Sequence, residues 1–283
     1  MINSPVPKPP STSAKLPLTI VKIGGSVIED AERLTSFVSY FANVKGAKIL
    51  VHGGGILANQ LAEQLGIQQQ MVDGRRITDA ETLKIVTMVY AGFINKTIVA
   101  KLQSVHCNSI GICGADASGI VAHKRTGTAT NYGFVGDIDS VDAAFFDRLL
   151  SQNLTPVIAP ITADTSGQLL NTNADTVARE VAVALRGMYV TTLVFCFDKP
   201  GVLRNPDDGA SVISVLDYHT YANRTRSAKT DPPLLISAGM IPKLDNGFHA
   251  LRDGVACVRI GSADSMNDVL SGHSGTELVY YGQ

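Results

Sequence analysis

Apolar residues recur along this chain in two rhythms. Short, mostly apolar runs, at residues 18–23 and 49–52, end in glycine clusters, Gly24-Gly25 and Gly53-Gly54-Gly55. After each cluster the spacing lengthens to three or four, with Leu34, Phe37, Val38 and Phe41 in the first case and residues 56–65 in the second. Strand, glycine turn and helix, repeated at once, predict a parallel sheet with right-handed crossovers.

Further on, residues 68–76 are polar, and Thr78-x-x-Glu81 reads as a capping box opening a helix to about Lys101, with Leu83, Val86, Val89 and Ile94 along its stripe. A strand is predicted over 109–112, then a Gly- and Thr-rich hairpin excursion at the sheet rim over 114–135. A helix over 142–152 and a strand over 155–159 come next. Asp164 to Gly167 form a hairpin turn, and a helix then carries Val177, Val181, Ala184 and Leu185 on one face. Residues 192–197 read as a strand buried on both faces. Residues 204–233 read as a surface excursion with a short helix near 217–223. A helix from Pro242 to Arg252, a strand over 256–260 and a closing edge strand over 277–280 complete the chain. The fold class is α/β, an open, mostly parallel sheet sandwiched by helices in three layers. A loose, Pro- and Ser-rich tail (1–17) precedes two lobes, 18–190 and 191–283, that share one continuous sheet.

Charge narrows the function classes. With 24 Lys and Arg against 25 Asp and Glu, net charge is -1, so no basic field exists to hold nucleic acid or an anionic membrane. No uninterrupted apolar stretch approaches the roughly 18–20 residues of a membrane span, and the N-terminus lacks the pattern of a signal or transit peptide. Cys107, Cys113, Cys196 and Cys257 are scattered, without metal-ligand spacing, and read as reduced thiols. The expected location is cytoplasmic.

The chemistry-bearing residues gather just after the strand ends, the rim where open α/β sheets bind ligands. Lys22 precedes the Gly24-Gly25 turn, whose N–H groups could meet an anion at a helix start. Gly53-Gly54-Gly55-Ile56-Leu57-Ala58 formally matches a dinucleotide fingerprint with Asp73 beyond it. That motif belongs to a domain's first strand, however, and here a Lys-Gly-Gly strand comes before. There is no P-loop motif. Asn171-Thr172-Asn173-Ala174-Asp175 opens a helix with more polar groups than one cap needs. Arg76 could clamp a carboxylate, and Lys243 follows Gly239-Met240.

Taken in order, Lys-x-Gly-Gly, His-Gly-Gly-Gly, Gly-x-Arg-x-Thr, Asn-x-Asn-Ala-Asp, a strand ending in Asp-x-x-Gly, and Gly-Met-x-x-Lys resemble the amino acid kinase family over residues 18–280. Ala91-Gly92 and Asn95-Lys96 narrow the resemblance to its acylglutamate kinases. The resemblance implies ATP-dependent phosphorylation of the side-chain carboxylate of N-acetyl-L-glutamate, giving the 5-phosphate for arginine biosynthesis. The same mechanism on N-succinyl-L-glutamate, or a non-catalytic anion binder, are the alternatives. It implies that Lys22 and Lys243 stabilise the transition state, that Asp175 holds both lysines, and that the N–H groups of Gly24, Gly25, Gly54 and Gly55 cradle the reacting groups. Arg76 would clamp the substrate α-carboxylate and Asn171 would bond its amide and carboxylate end. Asp198, Gly201, Leu203, Leu235, Ile236 and Ser237 would line the nucleotide site in the second lobe. Mg2+ would travel with ATP on its phosphates, with no dedicated protein metal site. His52 is read as structural. Segment 204–233 is longer than the family's usual loop, and residues 1–17 cannot form the extra N-terminal helix of arginine-inhibited hexamers. An arginine-insensitive homodimer is therefore expected.

Overall fold

In a computed structural model, residues 14–72, 75–205, 207–226, 236 and 239–281 are described. The first strand, β1 (Leu16–Ile23), begins two residues inside the expected tail, because Leu16 and Pro17 pair with Tyr189 and Val190. Residues 1–13, on which the expected absence of an extra helix rests, lie outside the described residues. Next come α1 (Gly25–Glu29), α2 (Ala31–Ala42), β2 (Ala47–His52) and α3 (Gly55–Gln64). A small hairpin, β3 (Gln70–Val72) with β4 (Arg75–Ile77), leads into a continuous helix made of α4 (Ala80–Val86), a π-helical segment (Thr87–Ile94) and α5 (Asn95–Ser104). The first lobe continues with β5 (Ser109–Cys113), β6 (Ile120–Lys124), β7 (Gly136–Val141), α6 (Ala143–Ser151), β8 (Thr155–Ala159), β9 (Ile161–Ala163), β10 (Leu169–Asn171) and α7 (Ala174–Leu185). The rest is β11 (Tyr189–Phe197), β12 (Val215–Asp217), α8 (Tyr218–Arg226), α9 (Ile241–Arg252), β13 (Cys257–Ser262), α10 (Met266–Ser271) and β14 (Thr276–Val279).

The main sheet has eight strands in the order β12-β14-β13-β11-β1-β2-β8-β5, and every pair is parallel except β13 with β14. Alternate residues of its strands feed two separate cores. Leu18, Ile20, Leu193 and Phe195 face α6, α7 and α9, while Val21, Ile23, Val194 and Cys196 face α2, the long helix and α10. This is the three-layer α/β arrangement expected. A second sheet, β10-β9-β6-β7, forms the rim excursion. The boundary expected at 190/191 falls inside β11, which pairs with β1 along all eight residues of β1.

Three expectations are corrected. The strand at the end of the chain is not an edge: β14 lies between β13 and the three-residue β12, whose single buried residue, Leu216, gave no alternation to read. The long helix is capped by Asp79, not Thr78, since Asp79 Oδ1 accepts the Thr82 N–H at 2.7 Å, while Thr78 is held extended by bonds to Tyr132 and Phe134. That helix, Ala80–Ser104, also has the length and hydropathy of a membrane span, contrary to the reading of the sequence. Its apolar side instead fills the second core through Leu83, Ile85, Val86, Val89, Tyr90, Ile94, Ile98 and Leu102.

Candidate active site

Three charged side chains converge at the carboxyl ends of the central strands. Lys22, the next-to-last residue of β1, lies on the face of the sheet covered by α7 and α9. Asp175 lies in the first turn of α7, where free N–H groups and the helix dipole favour a carboxylate. Lys243 lies in the first turn of α9. Lys22 Nζ stands 2.7 Å from Asp175 Oδ1, and Lys243 Nζ stands 3.5 Å from Oδ2. Lys22 and Asp175 are 6% and 4% exposed. Burial alone would raise the Asp175 pKa, but Lys22 and Lys243 together outweigh it and hold the carboxyl below its ordinary value. Lys243 is lowered, chiefly by burial and further by Lys22, against the pull of Asp175. The unit is two cations sharing one anion, a surplus of positive charge in a water-poor place.

Of the polar residues opening α7, Asn173 is the cap: its Oδ1 accepts the Thr176 N–H at 3.0 Å. Asp175 and Asn171 are thereby free for other work. Asn171, at the end of β10, donates through Nδ2 to Thr78 Oγ1 at 3.0 Å, which ties it to the residue just after β4, two places beyond Arg76.

The glycine turns share this rim. Gly24 N–H is committed to Cys196 O at 3.3 Å and Gly53 N–H to Ile23 O at 3.1 Å, so these two glycines tie neighbouring strands together. Gly25 and Gly55 are the first residues of α1 and α3, neither of which has a side-chain cap, and their N–H groups have no intrahelical acceptor. Gly54 has φ of 155°, and a Cβ there would lie 2.2 Å from Ile94 Cδ1 and 3.0 Å from the Tyr90 ring. Only glycine fits. The π-helical segment supplies both Tyr90 and Ile94, a placement that agrees with the tendency of π-bulges to sit at functional sites.

Arg76 is the third cation. It is buried, and its Nη2 donates to Gly55 O at 2.9 Å, so the guanidinium touches the α3 turn. Its Nη1 donates to Asn59 Oδ1 at 2.5 Å and to Gln69 Oε1. Burial raises the Tyr90 pKa, and the neighbouring Arg76 opposes that rise. Asn59, Gln69 and Tyr90 were invisible to sequence reasoning, because no motif or period links them to Arg76.

His52 is fully buried between Gly53 O, 2.8 Å from Nδ1, and Asn95 Nδ2, 3.1 Å from Nε2. The bonds assign a neutral ring with the proton on Nδ1, and burial pushes its pKa down to about 4. Asn95 also donates to Val157 O, and Lys96 donates to Gly111 O and to Asn95 Oδ1. The network fixes the floor under the Gly53–Gly55 turn. Burial likewise pushes Cys196 up to about 12, so it is no nucleophile.

On the nucleotide side, Asp198 is exposed just beyond β11 and its charge acts on Lys243. Gly201 is packed, since a Cβ would lie 2.8 Å from Thr276 Oγ1 and 2.9 Å from Val212. Leu203 is buried and bridges to Val212. Ile236 packs on the first core, while Leu235 and Ser237 lie outside the described residues. Among the described residues no three His, Cys, Asp or Glu side chains gather into a metal site, and both Asp175 oxygens face lysines. This donor set fits a hard divalent ion held mainly by phosphate oxygens and water, with Asp198 an exposed carboxylate whose charge reaches Lys243.

The sequence and fold have clear counterparts. The amino acid kinase family matches residues 17–262. Acetylglutamate kinase of Cytophaga hutchinsonii is 52% identical over 265 residues, which is 93% of this chain and 98% of that protein. Acetylglutamate kinase of Phocaeicola vulgatus is 48% identical over 251 residues, 89% of this chain and 95% of that protein. The fold is shared with smu.665 from Streptococcus mutans (TM-score 0.76, 24% identity, 93% of this chain and 98% of that one). It is shared also with N-acetylglutamate synthase from Neisseria gonorrhoeae (TM-score 0.76, 19% identity, 94% of this chain and 60% of that one).

Proposed function

Because the chain belongs to the amino acid kinase family, we propose that it transfers the γ-phosphoryl group of ATP to the side-chain carboxylate of N-acetyl-L-glutamate. The observation that carries this reading is the pair of lysines on the buried carboxylate of Asp175, at the rim where the glycine turns leave N–H groups free. A glutamate side chain, with an ordinary pKa of about 4.3, is ionised at neutral pH, so the nucleophile needs no general base. His52, neutral and enclosed, is not called upon. What the site must supply is in-line positioning and neutralisation of charge on the transferring group.

Lys22 and Lys243 answer the second need. Held by Asp175, they present their excess charge from the β1 end and the α9 end of the site, with little reorganisation left for the moment of reaction. The N–H groups of Gly25, Gly54 and Gly55 add neutral donors. Arg76 receives the α-carboxylate and Asn171 the amide end, while Asp198 and residues 201–203 border the nucleotide. A magnesium ion bound with ATP would supply further charge neutralisation.

The names of the relatives favour an acetyl over a succinyl group. The intact lysine–aspartate unit argues against a binding protein without catalysis. Two exposed apolar residues on the long helix, Met88 and Phe93, support a homodimer, which equilibrium sedimentation tests. Four free cysteines support a cytoplasmic location. An assay with ATP, magnesium and a panel of glutamate, N-acetylglutamate and N-succinylglutamate, with the acyl phosphate trapped by hydroxylamine, tests the reaction itself. Turnover with N-acetylglutamate is expected. Absence of turnover with every acylated amino acid would overturn the reading.

A further inference from the structure

The surroundings of Arg76 are unusual for a buried arginine. Among the described residues its partners are all neutral: three acceptors are the Asn59 amide oxygen, the Gln69 amide oxygen and the Gly55 carbonyl, and the Tyr90 hydroxyl is a fourth partner. Two of them occupy Nη1, so that end of the fork is fixed, while Nη2 gives one bond to Gly55 and Nε–H carries none of these three. None of these partners is a carboxylate, and the guanidinium has one more N–H donor than these partners take up. Gln69 is itself oriented, because its Nε2 donates to Thr82 Oγ1 at 3.2 Å, which turns Oε1 toward the guanidinium. Thr82 is buried in the first turn of α4 and donates its own N–H to the Asp79 cap. A chain of bonds thus runs from the α4 cap through Thr82 and Gln69 to the guanidinium, and on to the α3 turn.

We infer that Gln69, seconded by Asn59, is a positioning and specificity residue for the substrate α-carboxylate. It pins Arg76 by Nη1 with a neutral oxygen, so that the remaining donors face the site and no internal carboxylate competes for them. The inference rests on the proposed role of Arg76 as the carboxylate clamp. Two physical features set it apart from ordinary packing. A neutral acceptor fixes geometry without spending the charge, whereas an acidic one at the same place would form a bidentate pair of the strong kind and act as a built-in substitute for the ligand. An aliphatic residue would leave Nη1 a donor short of its partner, and the guanidinium free to turn.

Steady-state kinetics on the full chain test this with Gln69→Glu, Gln69→Ala and the control Arg76→Ala, each assayed with N-acetylglutamate and with N-acetyl-4-aminobutyrate, which lacks the α-carboxylate. Gln69→Glu, equal in size, should raise KM for N-acetylglutamate about tenfold or more. KM for ATP and the thermal midpoint should stay near the wild-type values. Gln69→Ala should raise the same KM less and narrow the preference for N-acetylglutamate over the analogue. If Arg76→Ala raises KM but both Gln69 variants leave it and the preference unchanged, the inference is overturned. If both Gln69 variants shift KM for ATP and kcat equally with KM for N-acetylglutamate, Gln69 is only structural and the inference again fails. If Arg76→Ala itself leaves KM unchanged, the clamp reading of Arg76 fails first, a separate outcome that takes the inference with it.

Discussion

Lys22 Nζ and Asp175 Oδ1 are 2.7 Å apart, in a place that excludes nearly all water. The pair joins the central strand to the first turn of α7 and faces the second lysine. Asp175→Asn removes the only anion between two cations, so kcat should fall at least about a hundredfold. Unfolding by denaturant should show a loss of about 3–5 kcal/mol, as when one partner of a buried pair is removed. The native carboxyl is held below its ordinary value. Its stabilisation is therefore complete above the ordinary carboxylate range and should be lost as pH falls through the lowered native value. A variant with unchanged acid stability would contradict this.

Lys243 should reveal itself in kcat. With its charge acting mainly in the transition state, Lys243→Ala lowers kcat by about two to three orders of magnitude and moves KM little. A pure KM effect would make it a binding residue. The lowered native pKa adds a pH signature: in the free enzyme Lys243 loses its proton at lower pH than an ordinary lysine, so kcat/KM should fall on the alkaline side earlier than an unperturbed lysine permits. Lys243→Arg should move that limb out of the measurable range.

Gly54 should tolerate no side chain. Gly54→Ala adds a Cβ 2.2 Å from Ile94 Cδ1 on a backbone at φ 155°. A loss of about 2 kcal/mol or more is expected from overpacking and strain together. Ile94→Val deletes the clashing atom, so the double variant should recover part of the loss but not all, and denaturant midpoints of the two singles and the double measure the remainder. Full recovery would show that the backbone carries no strain.

His52 should set the acid limb of stability. Its native pKa of about 4 lies below its ordinary 6.5, so the unfolded chain binds the extra proton first. Stability should decline as pH drops from about 6.5 toward 4, by at most about 3 kcal/mol from this group. His52→Gln should flatten that decline in urea titrations run across the range. An unchanged slope would assign the decline to other groups.

Much of the fold was legible because short apolar runs end in glycine and helical stripes follow them; β8 was read to the residue. The long helix was read too, but its cap slipped by one, since Thr78 and Asp79 are both good cap residues and only the bonds to Tyr132 and Phe134 draw Thr78 outward. Its π-helical segment had no sequence signal: it reflects the tertiary demand that Tyr90 and Ile94 cover Gly54. The three-residue β12 was too short and too polar to show a period. For the site, Lys22, Asp175 and Lys243 were reached through the order of motifs, not by spacing, because their meeting depends on how β1, α7 and α9 are laid against one sheet face. The neutral cradle of Arg76 was out of reach, since Asn59 and Gln69 are ordinary polar residues until the hairpin brings them to the guanidinium.

The pairing of β1 with β11 along all of β1 carries a consequence for how this enzyme can move. The two halves of the molecule share adjacent central strands, so a relative movement of the halves that keeps this pairing has to twist or bend the sheet rather than part its middle. The β3–β4 hairpin that carries Arg76 and the rim sheet beside Asn171 lie outside that seam, so a shift of these substrate-side groups leaves the strand pairing between the halves untouched.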